Sequence, residues 1–586
     1  MPPIRVVLLA CLAALSLEVV ANVPARSAPP RALTPRGLEN VLAFTRLFGI
    51  VRHFHPSDEA AAADWEAIAV DGAGVVENAK DANELAARLG DVFLPLAPSI
   101  RIFPSSAKPK GLPKPAGAEQ VVAWQHHGFG HKQPAQGPYA SERIRRKLDE
   151  SDARFPDPLQ PFLLDLGGGV SASVPLSVFA DATGTLPRAT RTALPHPNAA
   201  YSGNDRATRI GAVVLAWNVL QHFYPYFDVV KVDWPAELTR ALRSAATDRD
   251  EAAFLRTLRR LIAALDDGHG SVALMSVPQN VTLPLRWLAI GDALVVTAVD
   301  PAASGLRVGD EVVAIDGKPV PETLREAEAM VSGATPQWRR WIAQNQLASG
   351  AAGTNVALTI RNADGSTRTA TLARAVRPEP LADPRPEKIA ELKPGLWYVD
   401  LSRISDADFT ASLEKLAAAK GIVFDLRGYP RGVRTGPLLH MIDGVTESAR
   451  WNVPILHRPN FEGVKWSTRG RWSLAPQQPR LTKNRVFLTD GRAISYAESW
   501  MGIIEAYKLA AIVGETTAGT NGNVNVQQLP GGYRFVFTGM KVLKHDGSRH
   551  HGVGIAPTMP VSPTLAGIRA GRDEQLEKAI EVLEKR

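Results

Sequence analysis

The C-terminal part of the chain alternates between two hydrophobic patterns. From about residue 381 onward, short apolar runs typical of buried strands are separated by stretches whose apolar residues recur at helical spacing. The predicted strands are 396–401, 421–426, 485–489 and 509–513, and the predicted helices include 406–418 and 573–584. Strands and helices that alternate in this way form layers. The pattern therefore predicts a layered α/β domain over residues 379–586.

Nearer the N-terminus, one helical pattern occurs twice. His53-Phe54 is followed by Asp64-Trp65, and His222-Phe223 is followed by Asp233-Trp234, with 11 positions from histidine to aspartate in both copies. Further helical stretches follow each copy, so we predict a duplicated helical unit at 34–103 and 206–279. The shared histidine, phenylalanine, proline (Pro56 and Pro225) and tryptophan are interpreted as packing and helix-end residues. Only the second copy ends in Asp-Asp-Gly-His-Gly, which contains His269, and this difference indicates a local role for that histidine.

Residues 104–205, between the two copies, have mixed character. A stretch rich in proline, lysine and glycine predicts a linker, and runs at 120–124 and 161–180 predict strands. We expect a β-rich insert. Its His126, His127 and His131 have no acidic residue or cysteine beside them to complete a metal site, and they are interpreted as solvated loop histidines. The sequence predicts no metal and no cofactor.

Residues 280–378 contain three strand-like runs and a stretch that ends in an Asp-Gly turn at Asp316-Gly317. This stretch, from Gly305 to Gly317, resembles the signature of PDZ-like domains. That resemblance implies a domain that binds peptides by adding a strand to a sheet edge. The helical stretch 331–349 is longer than such a domain needs, and we expect it to cover or gate the groove.

Composition narrows the class of protein. The 586 residues are 45% hydrophobic and 22% charged, as in ordinary soluble proteins, and the formal net charge is +8. The basic residues are scattered among acidic ones, so we predict no nucleic-acid partner. Arg5 and an apolar run predict a signal peptide at 1–27, and hence an exported protein, periplasmic or extracellular, with no stable membrane span after cleavage. The sole cysteine, Cys11, lies in that segment, which excludes a thiol nucleophile and a thiolate zinc site from the mature chain.

Ser495 lies where a predicted strand turns into a predicted helix. A hydroxyl at such a turn is exposed, and the following amide, on Tyr496, points out of a helix N-terminus, where negative charge is stabilised. Ser495 thus fits a nucleophile with half an oxyanion hole. It also fits a helix cap, with Glu498 three residues later completing a capping box. The local sequence leaves both interpretations open.

Four ordered blocks favour the nucleophile. They are Asp425-Leu426-Arg427 with a glycine-containing loop, Ser495-Tyr496-Ala497-Glu498, the segment 514–519 (Gly-Glu-Thr-Thr-Ala-Gly) and the segment 552–557 (Gly-Val-Gly-Ile-Ala-Pro). In order and spacing they resemble the tail-specific, or C-terminal-processing, serine peptidases, and more closely the tricorn-like branch. The PDZ-like stretch before them fits the same architecture. The resemblance implies a crotonase-like peptidase core and polypeptide substrates, whose C-terminal segments the PDZ-like domain would bind.

The resemblance also implies how the serine is activated. One branch of the family uses a lysine, but the corresponding position here is Thr520. The tricorn-like branch uses a histidine that precedes the PDZ-like domain, and His269 has that location. Histidine near its ordinary pKa is an effective general base at neutral pH. We therefore expect Ser495 as nucleophile, His269 as base, and the backbone amides of Tyr496 and Gly432 as oxyanion donors.

Two departures leave one role open. The tricorn-like branch has a serine directly before its histidine, where this chain has Gly268, and a glutamate near the final block, where this chain has His550 and His551. The residue that orients His269 is therefore undecided between Asp267, Asp546 and His551, and a backbone carbonyl could serve instead. The same departures leave two alternatives to a peptidase function open: a catalytically impaired peptide- or ligand-binding scaffold, and a hydrolase of non-peptide esters.

The expected fold is thus multidomain α+β. It comprises duplicated helical N-terminal units with a β-rich insert, a PDZ-like β domain, and a layered α/β peptidase core.

Overall fold

The structure is a computed structural model. It describes residues 27–585 apart from 108–110, 112, 131–136, 151, 153–154, 194–199, 277–280, 302, 304, 363, 376–380, 382 and 469. Nearly all of the predicted signal peptide, and also His131, lie outside the described residues. Among the residues that are described, no helix is both long enough and apolar enough to cross a bilayer.

Both predicted helical repeats are helical, and they share one hydrophobic core. The first contains α1 (Pro35–Phe54), α2 (Asp58–Ala62), α3 (Trp65–Glu77) and α4 (Ala82–Phe93); the second contains α5 (Arg206–Phe223), α6 (Trp234–Thr247) and α7 (Glu251–Ala263). The repeated aspartates, Asp64 and Asp233, cap the helices that begin at the following tryptophans, because their carboxylates accept backbone N–H bonds from the first turn. Both aspartates thus fix the start of a helix.

The helices α3 and α5 of the two copies approach closely. A side chain at Gly211 would place its Cβ 2.7 Å from the Cα of Val70, so glycine is required where these two helices meet. Phe44 and Phe48 of α1 and Phe254 of α7 are completely buried in the shared core. Burying one such ring contributes roughly 1.5–3 kcal/mol, so the two copies stabilise each other.

The segment between the repeats is β-rich, as predicted. Its strands are β1 (Arg101–Pro104), β2 (Gln120–His127), β3 (Ala140–Lys147), β4 (Phe162–Gly167), β5 (Val170–Val174), β6 (Ser177–Asp181) and β7 (Gly184–Leu186). The interpretation of His126 as a solvated loop histidine is wrong. It lies on β2 with no exposed surface, and its ring nitrogens bond the Ser141 hydroxyl at 2.8 Å and the His53 carbonyl at 2.7 Å.

Residues 271–373 contain one short strand and then a separate β-rich unit with its own core. The elements are β8 (Ser271–Leu274), β9 (Val281–Thr282), β10 (Leu285–Ile290), β11 (Ala293–Val299), β12 (Glu311–Ile315), β13 (Lys318–Pro319), α8 (Val320–Glu328), α9 (Pro336–Ala348), β14 (Ser349–Gly350), β15 (Asn355–Arg361) and β16 (Thr367–Ala373). The main sheet has the order β10-β11-β12-β15-β16. Asp316 and Gly317 both have positive φ, of 50° and 78°, so the predicted Asp-Gly turn is confirmed.

The C-terminal unit is the predicted α/β domain. Its elements are β17 (Ile389–Lys393), β18 (Leu396–Asp400), α10 (Asp406–Ala417), β19 (Gly421–Asp425), α11 (Gly436–Leu439), β20 (Thr446–Glu447), β21 (Arg450–Leu456), β22 (Lys465–Ser467), β23 (Ser473–Leu474), β24 (Arg485–Thr489), α12 (Tyr496–Ala506), β25 (Ala511–Gly514), β26 (Val524–Leu529), β27 (Tyr533–Thr538), β28 (Lys541–Leu543), β29 (Met559–Pro560), α13 (Leu565–Arg569) and α14 (Glu574–Glu584). The four predicted strands and two predicted helices are confirmed to within two residues at each end.

The central sheet of this unit has the order β17-β18-β19-β24-β25-β29, and it is parallel from β18 onward. One face packs against a cluster that includes Trp500 of α12, and the other against Leu576 and Ala579 of α14. The parallel strands β19 and β24 end side by side, so the loops after Asp425 and Thr489 leave the same edge of the sheet. Loops at the carboxyl edge of a parallel sheet are where such folds place their sites.

Two further sheets connect this unit to the N-terminal half. Strand β2 pairs with β21, and β8 pairs with β27 in the three-stranded order β26-β27-β8. The β-rich insert therefore shares a sheet with the C-terminal unit. The segment directly after His269 is built into that unit as a strand.

Candidate active site

Ser495 occupies a sharp turn between β24 and α12. Its backbone angles are φ 58° and ψ −112°, a region that residues with a side chain adopt only when the surroundings hold them there. The side chain makes no capping bond to the helix, so the predicted capping box is wrong. A strained strand-to-helix turn of this kind is the arrangement that exposes a nucleophilic hydroxyl.

Glu498, the proposed partner in that capping box, has a different role. It is buried, and its carboxylate accepts hydrogen bonds from the hydroxyl of Thr517 and from the backbone N–H groups of Gly519 and Thr520. The Thr520 carbonyl in turn accepts the N–H of Ser495 at 2.8 Å. Charged hydrogen bonds of this kind are the strong ones. Glu498 thus fixes the 517–520 loop, and that loop fixes Ser495.

Thr520 also holds the loop that carries the histidine. Its hydroxyl oxygen accepts the N–H of Gly268 at 3.1 Å, and Gly268 directly precedes His269. A Cβ at position 268 would lie 2.5 Å from that oxygen, so the site has no room for the serine that the tricorn-like branch has there. Through its carbonyl and its hydroxyl, one threonine joins Ser495 to the neighbour of His269.

Strand β8 brings His269 to this place. In the antiparallel pairing of β8 with β27, Ser271 lies opposite Val536, so His269 reaches the level of Thr538. The His269 Nδ1 atom is 2.9 Å from the Thr538 hydroxyl oxygen. That hydroxyl lies 2.6 Å from Oδ1 of Asp267. Sequence reasoning missed Thr538, because it ends an ordinary apolar strand and belongs to no motif.

The three candidates for orienting His269 lie in different surroundings. Asp267 has no exposed surface and accepts the His269 N–H at 3.1 Å. Asp546 is exposed, and its carboxylate accepts the Ser548 N–H at 2.9 Å within a surface turn. His551 is buried, with its ring stacked on Tyr226 at a centroid distance of 4.0 Å. Of the three, Asp267 is the one whose carboxylate accepts a hydrogen bond from His269 itself.

Burial dominates the electrostatics of the base. It lowers the pKa of His269 below the ordinary histidine value, and the negative charges of Asp267 and Glu498 offset that effect only in part. Burial also lowers the pKa of His551 to about 4. Both rings are therefore neutral at pH 7, which is the state that a general base requires.

The two expected oxyanion donors, Tyr496 and Gly432, lie at the start of α12 and in the loop after β19. Tyr496 is the first residue of α12, so its N–H lacks a partner within the helix. The phenol of Tyr429, another residue that sequence reasoning missed, interacts with the Ser495 hydroxyl and with the Tyr496 amide. Gly432 lies further along the loop, where it bridges to Ser405 and its carbonyl accepts the Asp406 N–H at 3.0 Å.

Buried ion pairs support the loop after β19. Burial alone would raise the pKa of the Asp425 carboxyl, but the charges of Arg427 and Arg385 outweigh it and hold that pKa far below its usual range. Arg427 also bonds Asp573, the residue that caps α14. Breaking a buried pair of this kind typically costs about 3–5 kcal/mol. The Asp-Leu-Arg motif therefore has a structural role at the edge of the site.

A segment of the preceding β-rich unit bonds both the loop before His269 and the loop behind Ser495. We call residues 332–339 the brace. Its side chains make three bonds to the histidine loop and two to the loop behind Ser495: Ser332 with Asp267 N, Trp338 with Gly268 O, Arg339 with Asp266, Thr335 with Ala518 O and Gln337 with Thr517 O. Each of these distances is 2.8–2.9 Å. The stretch predicted to cover a groove thus contacts the catalytic loops directly.

Comparison with known proteins agrees with this picture. Residues 395–561 match the family model described as Peptidase family S41. The solved structure of mature CPAF complexed with lactacystin is similar at 16% identity and a TM-score of 0.53, over 64% of this chain and 98% of that one. Mature CPAF is similar at 15% identity and a TM-score of 0.54, over 64% and 96%. At these identities the structures show a shared fold. No curated protein matches the chain.

Proposed function

We propose that this chain is a serine peptidase that cleaves polypeptides with Ser495 as nucleophile and His269 as base. The match of residues 395–561 to peptidase family S41 supports the enzyme class. The observation that carries this assignment is the position of Thr520. Its carbonyl accepts the N–H of Ser495, and its hydroxyl accepts the N–H of Gly268, which directly precedes His269. One residue therefore holds the backbone at Ser495 and next to His269.

The chemistry follows from these positions. His269 removes the proton of the Ser495 hydroxyl through Nε2 as the oxygen attacks the peptide carbonyl. The N–H groups of Tyr496 and Gly432 hold the negative oxygen of the tetrahedral intermediate, and losing one such donor typically lowers the rate about 100- to 1000-fold. His269 then gives its proton to the leaving amine. A water molecule repeats the cycle on the acyl-enzyme, and the carboxylic acid product leaves with Ser495 restored.

Of the candidates for orienting His269, we favour Asp267 over Asp546 and His551. Asp267 precedes the histidine by two residues and accepts its backbone N–H, so the carboxylate is fixed relative to the ring. The Asp546 carboxylate accepts the Ser548 N–H within an exposed turn. The ring of His551 is engaged with Tyr226.

We propose that residues 280–378 form a PDZ-like domain that binds the C-terminal segments of substrates. A cavity of about 600 Å³ opens between β10, α9 and the C-terminal helices, lined by Trp287, Leu288, Arg340, Trp341, Gln344 and Ile568 among others. Neither Ser495 nor His269 lines it, so it is separate from the catalytic pair.

A strand bound in this cavity would run along β10, the edge of its sheet. Two backbone groups there already bond the side chain of Gln344: the Ala289 N–H at 2.9 Å and the Trp287 carbonyl at 3.2 Å. Peptide binding by strand addition would therefore have to displace Gln344. Isothermal titration with C-terminal peptides, compared between the wild-type chain and Gln344→Ala, tests this, and tighter binding by the variant is expected.

The helix-flanked sheet of residues 379–586 supports a crotonase-like layering for the core, and the basic, apolar N-terminus at 1–27 supports export to the periplasm or beyond. We therefore propose that the substrates are exported polypeptides. N-terminal sequencing of the chain purified from fractionated cells tests this. Recovery of uncleaved chain from the cytoplasm would contradict it.

Hydrolysis of carboxymethylated casein, an unfolded polypeptide, tests the catalytic assignment. Ser495→Ala and His269→Ala should lose almost all turnover and keep the wild-type melting transition, and Ser562→Ala, at an exposed serine, should keep wild-type turnover. Wild-type rates in the first two variants would refute the assignment. Casein binding without cleavage by the wild-type chain would favour the scaffold. Turnover of esters alone would favour a non-peptide hydrolase.

A further inference from the structure

The catalytic region contains a hydroxyl and a carboxylate behind His269 that no motif accounts for. Both Thr538 and Asp267 have no exposed surface. The Thr538 hydroxyl is 2.6 Å from Oδ1 of Asp267 and 2.9 Å from Nδ1 of His269. The Thr538 N–H donates to Oδ2 of the same carboxylate at 2.6 Å. The two side chains therefore form a row that ends on the ring of the base.

We propose that Thr538 is a positioning residue through which Asp267 holds His269 in the form that can take a proton from Ser495, an inference that rests on the proposed function. The hydrogens available between Asp267, Thr538 and His269 allow one arrangement of their bonds. Both oxygens of Asp267 already accept backbone N–H groups, so the carboxylate is the acceptor from Thr538. A threonine hydroxyl has one hydrogen, and that hydrogen is used on Asp267.

The Thr538 oxygen can then only accept a hydrogen bond from His269, because it has no second hydrogen to donate. The hydrogen in that contact must come from the histidine, so Nδ1 carries the proton and Nε2 presents its lone pair to Ser495. The opposite tautomer would direct a lone pair of Nδ1 at a lone pair of Thr538 and leave no base on the serine side. The row thereby selects the reactive tautomer and the orientation of the ring.

The row also explains the two departures from the resemblance. Where the tricorn-like branch has a serine and a glutamate, this chain has Gly268 and the pair His550 and His551. A hydroxyl and a carboxylate are nevertheless present behind the base. They come from Thr538, at the end of β27, and from Asp267, which is joined to that strand by two bonds. Because the strand fixes both groups, the row is assembled before substrate binds.

During reaction one proton moves between two atoms. The Ser495 Oγ–H bond breaks as the Nε2–H bond forms, and the ring becomes positively charged. Thr538 accepts the Nδ1–H bond more strongly in that state, and Asp267 supplies the compensating charge, but neither residue gains or loses a proton. The row thus stabilises the positive charge of the ring, which would be less fully compensated without Thr538 and Asp267.

The test compares Thr538→Val, which removes the hydroxyl, with Thr538→Ser, which keeps it. The readouts are the rate at which a fluorophosphonate labels Ser495 between pH 4 and 9, and the ¹⁵N shifts of the His269 ring. Thr538→Val should lower the rate at pH 8 about 100-fold. It should also move the acid limb of the profile to lower pH, because the charged ring loses its Nδ1 acceptor. Thr538→Ser should keep both the wild-type labelling rate and the wild-type position of the acid limb.

Asp267→Asn provides a second route if Thr538→Val fails to fold. It should also lower the labelling rate, and combining it with Thr538→Val should add little, because the two residues act as one unit. Wild-type labelling and an unmoved limb in Thr538→Val would overturn the inference, as would a Thr538→Ser variant as slow as Thr538→Val. A wild-type chain that is not labelled at Ser495 would instead refute the proposed function. The ring shifts, which need no activity, would still show whether Nδ1 carries the proton.

Discussion

The hydroxyl oxygen of Thr520 accepts a 3.1 Å hydrogen bond from the backbone N–H of Gly268. This bond joins the loop of the proposed base to the loop of the proposed nucleophile, across 252 residues of sequence. It also gives a structural role to Thr520, the position at which one branch of the resembled peptidases has a lysine. The threonine contributes no proton acceptor for the reaction. It holds the loop of His269 in position beside the loop of Ser495.

Thr520→Val should therefore slow the labelling of Ser495 by a fluorophosphonate about 10-fold. Valine keeps the shape and the backbone carbonyl but leaves the Gly268 N–H without its partner, which costs about 1–3 kcal/mol of stability. Thr257→Val is the matched control, because Thr257 is a buried threonine of α7 whose hydroxyl bonds Asp248 at the end of α6. The control should lose stability without losing labelling rate. Equal labelling rates in the two variants would show that the bond does not align the site.

The acid limb of the labelling profile should fall below pH 6.5. The neutral ring of His269 is the reactive form, and burial lowers its pKa against the opposing charges of Asp267 and Glu498. A lowered pKa keeps the base neutral to a lower pH, so the midpoint of the acid limb lies below pH 6.5. The measurement is the labelling rate of a chain shown by circular dichroism to be folded at each pH. A midpoint above 6.5 would contradict the lowered pKa of the partly buried His269.

Replacing Ser495 should reveal the strain in its backbone. At φ 58° and ψ −112°, glycine fits easily and alanine does not, so Ser495→Gly should be more stable than Ser495→Ala by about 1 kcal/mol. The free energies of unfolding in urea give the comparison. Ser499, one turn into α12, is the control, because at a regular helical position the order of alanine and glycine should reverse. An alanine variant at 495 as stable as the glycine variant would argue against strain.

Much of the fold could be predicted because it depends on local patterns. The strands around 421–425 and 485–489 are short apolar runs, and the repeated aspartates cap helices through contacts with the next three residues. Such signals are contained in a few neighbouring positions. The Asp-Gly turn at Asp316 is of the same kind, since its conformation depends on those two residues.

The rest of the site depends on contacts between distant parts of the chain. Thr538 is an ordinary strand residue until the pairing of β27 with β8 places it beside His269. Ser495 and Glu498 match a capping box in sequence, but the 517–520 loop uses the carboxylate that the cap would need. His126 is buried rather than solvated because its ring bonds the His53 carbonyl and packs on Phe54, both at the end of α1. No local pattern contains these partners.

The most direct test of the central claim is the site and rate of fluorophosphonate labelling in the full-length chain, read by mass spectrometry of its peptides. A Ser495–His269 pair predicts that the label is found on Ser495, that Ser495→Ala takes up none, and that His269→Ala is labelled at least about 100-fold more slowly. Rapid labelling of Ser495 in His269→Ala, or a label on another serine of the wild-type chain, would contradict it.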